Sequence, residues 1–139
     1  MSVFLDISAA LDDNLNNMAG KPPIAWENYN YEPSLGTLYA RATHLPADTT
    51  QASLGDSGQD INSGIYQIDV FAEAGQGKNE AYVMADLIAD QFKRGTDLTY
   101  NGRTVTIRNV SRQPAAKNAD GWYQIPIEIL YYSYTDART

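Results

Sequence analysis

The stretch Gly64-Ile65-Tyr66-Gln67-Ile68-Asp69-Val70-Phe71 alternates Tyr66, Ile68 and Val70 with Gln67 and Asp69. That period of two is the pattern a strand shows when one face is buried and the other is polar. Upstream, Thr37-Leu38-Tyr39-Ala40-Arg41-Ala42-Thr43-His44-Leu45 predicts a second strand. Between the two lies a polar tract, Pro46 to Ser63, which contains Asp48, Asp56 and Asp60 and neither Lys nor Arg. Gly55 and Gly58 sit there among serines and threonines, and Leu54 and Ile61 are its two large apolar residues. Loops of this length are uncommon in compact domains and usually carry function. The composition predicts a mobile arm that gains order from a neighbouring subunit.

Working outward, Phe4, Ile7, Leu11, Leu15 and Met18 recur at steps of three and four, which predicts a helix over about Val3 to Ala19. Ser2 is placed to cap it, and Gly20 with Pro22 to stop it. Ile24 to Tyr31 is short and aromatic, a brief strand running into a turn closed by Pro33 and Gly36. Ala81, Met84, Ala85, Ile88 and Phe92 predict a second helix that ends at Gly95. Asn101-Gly102 is a hairpin signal, because both residues tolerate the positive φ of a type I′ turn. It joins Leu98-Thr99-Tyr100 to a strand from Arg103 to Val110, and a loop over Ser111 to Gly121 follows. Trp122 to Tyr134 alternates again, with Pro126 pointing to an edge strand or a bulge. The expected fold is a single α+β domain over 1–139, with two main helices packed on a largely antiparallel sheet and a long mobile loop.

At 139 residues the chain has the size of one domain. Seventeen acidic and ten basic residues give a net charge of -7, which disfavours gripping a phosphate backbone. The absence of cysteine excludes disulfides, thiolate metal sites and cysteine nucleophiles. The start, Met1 to Asp6, lacks the pattern of a secretory signal, and no apolar run approaches membrane-helix length, so the expectation is a soluble protein made in the cytoplasm. Ten tyrosines against three phenylalanines favour half-buried rings at interfaces.

Chemical motifs are sparse. Gly75-Gln76-Gly77-Lys78-Asn79 sits between a strand and a helix, but a P-loop needs glycine and Ser or Thr where Ala72 and Asn79 stand. A strand-to-helix turn capped by Asn79 or a neighbour is the simpler reading. His44 is the lone histidine and belongs to no nucleophile motif; a small hydrolytic or ligand-binding enzyme using it with nearby aspartates is the rival from another class. Asp12 and Asp13 point about 100° apart on a helix and read as a solvated face. Asp48, Asp56 and Asp60 lack calcium-loop spacing. Trp26, Tyr29 and Tyr31 either cap the core or form a protein contact, which is favoured over a sugar platform.

Several runs taken in order, Ile24-Ala25-Trp26-Glu27-Asn28, Gln51-Ala52-Ser53-Leu54-Gly55, Gly64 to Val70, Gly75-Gln76-Gly77 and Gly121 to Ile127, resemble the tail terminator proteins of long-tailed siphophages, the lambda-like tail-completion family. The resemblance spans about residues 3 to 134. It implies a structural protein without enzymatic activity or cofactor, assembled in the host cytoplasm into the virion tail. There it would form a hexameric ring on the head-proximal end of the tail tube, stop tube polymerisation and offer a surface to a head completion protein. DNA would pass through the acidic lumen without specific binding. A head-tail connector or tube-like subunit is the alternative within the same setting. On loop position and chemistry, the expected interface residues are Arg41, Gln51, Ser53, Leu54, Gly55, Asp56, Asp60, Trp26 and Tyr29. Leu54 would anchor the arm, and Arg41 would pair with one of its acids across the interface.

Overall fold

The computed structural model of the protein describes residues 2–51, 58–117 and 120–136. Helix α1 (Val3–Asn16) starts where the Ser2 side chain accepts a hydrogen bond from Leu5 N at 3.2 Å. That cap satisfies one of the donors a helix start leaves free. Its inner face carries Ile7, Ala10, Leu11 and Leu15, all buried, while Phe4 is 53% exposed and falls off the expected stripe. The helix stops at Asn16, short of Ala19, as Asn17 N–H closes onto Asp13 O. Helix α2 (Asn79–Gln91) buries Ala81, Ala85 and Ile88. Its first turn has no side-chain cap: Lys78 holds the capping position and Asn79 is already helical.

Among the described residues seven strands form one sheet: β1 (Ile24–Ala25), β2 (Tyr39–Gln51), β3 (Gln59–Glu73), β4 (Asp97–Tyr100), β5 (Arg103–Arg112), β6 (Ala116–Lys117) and β7 (Trp122–Asp136). The order is β1-β2-β3-β7-β5-β4, with β6 added beside β7. Among the described residues the β1–β2 pairing is parallel and the others are antiparallel.

The expected α+β class is corrected by this architecture. Strand accounts for 48% of the described residues, the sheet curls as a half-barrel, and the two helices are short. The error lies mainly in the tract Pro46–Ser63. Strand β2 continues to Gln51 and β3 begins at Gln59, paired as Thr49↔Asn62, Thr50↔Ile61 and Gln51↔Asp60. Polar side chains do not prevent a strand whose backbone groups are satisfied by a neighbour. Here they supply part of the packing: buried Asn62 accepts from Thr49 Oγ1 and donates to Thr135 Oγ1, each at 2.7 Å. The same correction applies to Ser111–Gly121, where β5 runs on to Arg112 and β6 pairs with β7.

Strand β7 is central, between β3 and β5, and not an edge. Pro126 is tolerated because its carbonyl side faces the end of the β5 ladder, whose last pair is Arg112↔Ile127. The Pro126 carbonyl accepts from Gln113 N at 2.8 Å, so the missing proline N–H points to a place where no ladder bond is required.

The alternation seen in the sequence produces two differently filled faces. Tyr66, Ile68 and Val70 of β3, with Ile125, Ile127, Ile129 and Tyr131 of β7, share one buried cluster with Leu11, Leu15 and Ile88 from the helices. Each fully buried aliphatic side chain contributes roughly 1.5–3 kcal/mol relative to exposure. On the other face Tyr39 stacks on Phe71 at 4.8 Å and meets the edge of Trp122 at 5.1 Å. Asn101 and Gly102 take φ of 52° and 76° in the β4–β5 turn. That turn docks on α1, where Asn101 Nδ2 donates to Asp6 Oδ1 at 3.1 Å.

Candidate functional site

The expected interface residues divide into two places. Near β1, Trp26, Tyr29 and Arg41 line one cleft of about 330 Å³ with Tyr31 and Tyr39. Tyr29 stands 77% exposed, whereas Trp26 packs partly against the main core. Arg41 is held within its own chain: its guanidinium lies 4.9 Å from the Phe71 ring and 3.6 Å from Asp69. Asp69 is almost fully buried and accepts from Gln67 and Gln124, both at 3.0 Å. A buried carboxylate needs such partners to remain in place. Gln51 and Asp60 are cross-strand partners at the far end of β2 and β3, roughly 30 Å from Arg41 at the rise of a strand. Ser53, Leu54, Gly55 and Asp56 lie outside the described residues.

His44 lies within β2 and not at the end of a strand. Its backbone N–H donates to Glu27 Oε1 at 2.8 Å, and its Nε2 shares a hydrogen bond with the Tyr131 hydroxyl. Burial lowers the His44 pKa below its ordinary value, with Glu27 opposing. Burial also pushes the Tyr131 phenol up to about 12. The visible work of the imidazole in this wall of the fold is to tie β2 to β7.

Asp12 is not simply a solvated acid. Tyr66, buried in the core, donates its hydroxyl to Asp12 Oδ1 at 2.5 Å. Burial raises the Asp12 pKa; the Tyr66 hydrogen bond opposes this, and Glu27 and Asp13 add to the rise. Asp12, Asp13 and Glu27 line a second cleft with Trp26 and Tyr29.

The Gly75-Gln76-Gly77 turn leads into α2 beside Lys78, Lys117 and Tyr123, which together line an open cleft. Arg112 lies 4.7 Å from the Tyr82 ring and Lys78 lies 5.4 Å from it. The sequence reading missed this grouping, since Lys78 is remote in the chain from Arg112 and Lys117, and the three come together around Tyr82 and Tyr123. Among the described residues no group of three or more His, Asp or Glu side chains is arranged to hold a metal ion. Among them, too, no helix is long and apolar enough to cross a membrane.

A family model described as phage tail terminator protein matches residues 6–131, and the chain belongs to that family. It is a structural component of a phage tail and takes part in virion assembly through contacts with other tail components. A solved structure that carries a sequence label in place of a functional name is 25% identical, with a TM-score of 0.74 over 100% of this chain and 99% of that one. No curated protein matches the chain.

Proposed function

We propose that residues 1–139 act as one domain that closes into a homo-hexameric ring at the head-proximal end of a long-tailed phage's tail tube, made in the host cytoplasm. The ring stops tube polymerisation and presents its other face to a head completion protein. Membership in the tail terminator family is the observation that carries this reading.

The open edge of β2 supports it. Strand β1 covers that edge only at Ala40 and Arg41, and the described residues supply no strand partner beyond them. His44 N–H on this edge donates to Glu27, and the strand beyond it is a template for pairing with another chain. In a ring, one patch of each subunit meets a different patch of the next. Gln51 and Asp60 flank the tip of the β2–β3 ribbon, and Ser53, Leu54, Gly55 and Asp56 complete the segment that reaches the neighbour, with Leu54 as its apolar anchor. Trp26, Tyr29 and Arg41 form a second contact. The net charge of -7 suits a channel through which DNA slides without being held.

Size-exclusion chromatography with light scattering over a wide concentration range, followed by negative-stain imaging, tests the ring. Discrete six-fold rings support the proposal. Continuous tubes would favour a tube-like subunit, and a monomer at every concentration would count against unaided closure.

A further inference from the structure

The chain carries ten basic residues against seventeen acidic ones, yet Lys78 and Lys117 line one open cleft at the start of α2, and Arg112 shares the Tyr82 ring with Lys78 beside it. The ion pairs among the described residues are Arg41–Asp69 and Arg103–Asp6, so none of these three cations has a carboxylate within 4.0 Å there. Hydrogen bonding from Tyr123 is the main cause that lowers the Tyr82 pKa; burial opposes it, and the charges of Arg112 and Lys78 add to the lowering. Like charges held together repel, and the arrangement is relieved when an anionic group joins it.

The opposite arrangement stands elsewhere on the molecule. Asp12, Asp13 and Glu27 crowd a cleft of about 320 Å³, and no cation lies within ion-pair distance of them among the described residues. Among the described residues Lys21 donates to the Asn16 side chain. Trp26 and exposed Tyr29 flank these carboxylates, and ring faces beside acids suit an incoming ammonium or guanidinium.

The two clefts share no lining residue and stand on different parts of one copy. Glu27 follows β1 and Lys117 lies in β6, with β2, β3 and β7 between them. Four strand spacings separate those strands by about 19 Å. Along the other direction, Lys78 begins α2, while α1 is tied to its far end by Asn14 Nδ2 donating to Gln91 O at 3.0 Å. A helix of 13 residues is about 20 Å long.

We propose that the cationic surface of Lys78, Arg112 and Lys117 docks into the carboxylate-lined cleft of Asp12, Asp13 and Glu27 on a second copy of this chain. Because two different patches meet, the contact repeats head to tail and can close into a ring. The assignment rests on the ring proposed above and names the surfaces that build it. Charge complementarity selects a second copy over nucleic acid, since three cations on a chain of net charge -7 give little counterion-release affinity.

Zero-length carbodiimide cross-linking of an equimolar mixture of isotope-labelled and unlabelled protein tests the contact. The expected products are mixed-isotope peptides joining Lys78 or Lys117 to Asp13 or Glu27, reduced severalfold at high salt. The Lys78→Glu/Arg112→Glu/Lys117→Glu variant should lose them. Mixing that variant with an Asp13→Lys/Glu27→Lys variant should restore copy-to-copy association that neither shows alone. Mixed-isotope links confined to other residues, no such links at all, or full competition by an oligonucleotide would overturn the proposal. Rings seen by imaging without these links would remove only this interface; the absence of both rings and links would remove the ring as well.

Discussion

Asp6 and Arg103, 97 residues apart in sequence, meet at 3.4 Å where the β4–β5 hairpin lies against α1. The Asp6 side chain is 2% exposed and that of Arg103 17%, so this pair works largely out of water. Removing one partner from such a pair strands the other charge in a poorly solvated place. Arg103→Ala should therefore cost about 3 kcal/mol of folding stability. Arg103→Lys should recover only part, since a single ammonium cannot reproduce the guanidinium fork. Urea unfolding midpoints measure both effects, and an unchanged midpoint for Arg103→Ala would show that the pair adds nothing.

Gly64 is required by close approach. A Cβ at this position would lie 2.6 Å from the Tyr131 hydroxyl oxygen, 2.8 Å from Leu45 O and 2.9 Å from Pro46 Cα. Two of those neighbours are backbone atoms beside the register shift between Pro46 and Thr49, so little can give way. Gly64→Ala should cost roughly 1–3 kcal/mol, as overpacking does in a tight interior. Adding Tyr131→Phe removes one clash and leaves the backbone ones, so the double variant should regain only part of any Gly64→Ala loss relieved at that hydroxyl. Thermal unfolding of the two variants and of Tyr131→Phe provides the comparison.

The acid limb of the stability curve should contain two opposed contributions. Burial holds His44 below 6.5, so the unfolded chain takes up a proton first. Stability is then fully present above about pH 6.5 and is lost as pH falls toward the lower folded value. His44→Gln should flatten that segment. Asp12 has the reverse sign: its folded pKa is raised above 3.8, so it costs stability at neutral pH and that cost fades as pH falls through the folded value toward 3.8. Asp12→Asn keeps an acceptor for the Tyr66 hydroxyl and should be neutral or stabilising at pH 7. Melting temperatures across pH for the wild type and both variants check the two signs.

Much of the fold was legible in the side-chain period. Tyr66, Ile68 and Val70, and the isoleucines of β7, announced which way their strands face because burial selects apolar residues at every second position. Asn101-Gly102 announced its turn because few residues accept positive φ. The far halves of β2 and β3 were not legible, since residues such as Thr49, Asn62 and Thr135 satisfy one another and leave no apolar stripe. Asp69 read as part of a polar face because one of its partners, Gln124, comes from a distant strand. The cationic grouping was hidden for the same reason: Lys78 is remote in the chain from Arg112 and Lys117, and they come together around Tyr82 and Tyr123.

The most direct test of the central claim is to polymerise tail tube subunits of the same phage with and without this protein and image the products. The account predicts tubes of limited length, each bearing one discrete ring at a single end, and poor capping by the Leu54→Asp variant. Tubes that lengthen unchecked with bare ends, or that carry the protein along their whole length, would contradict it.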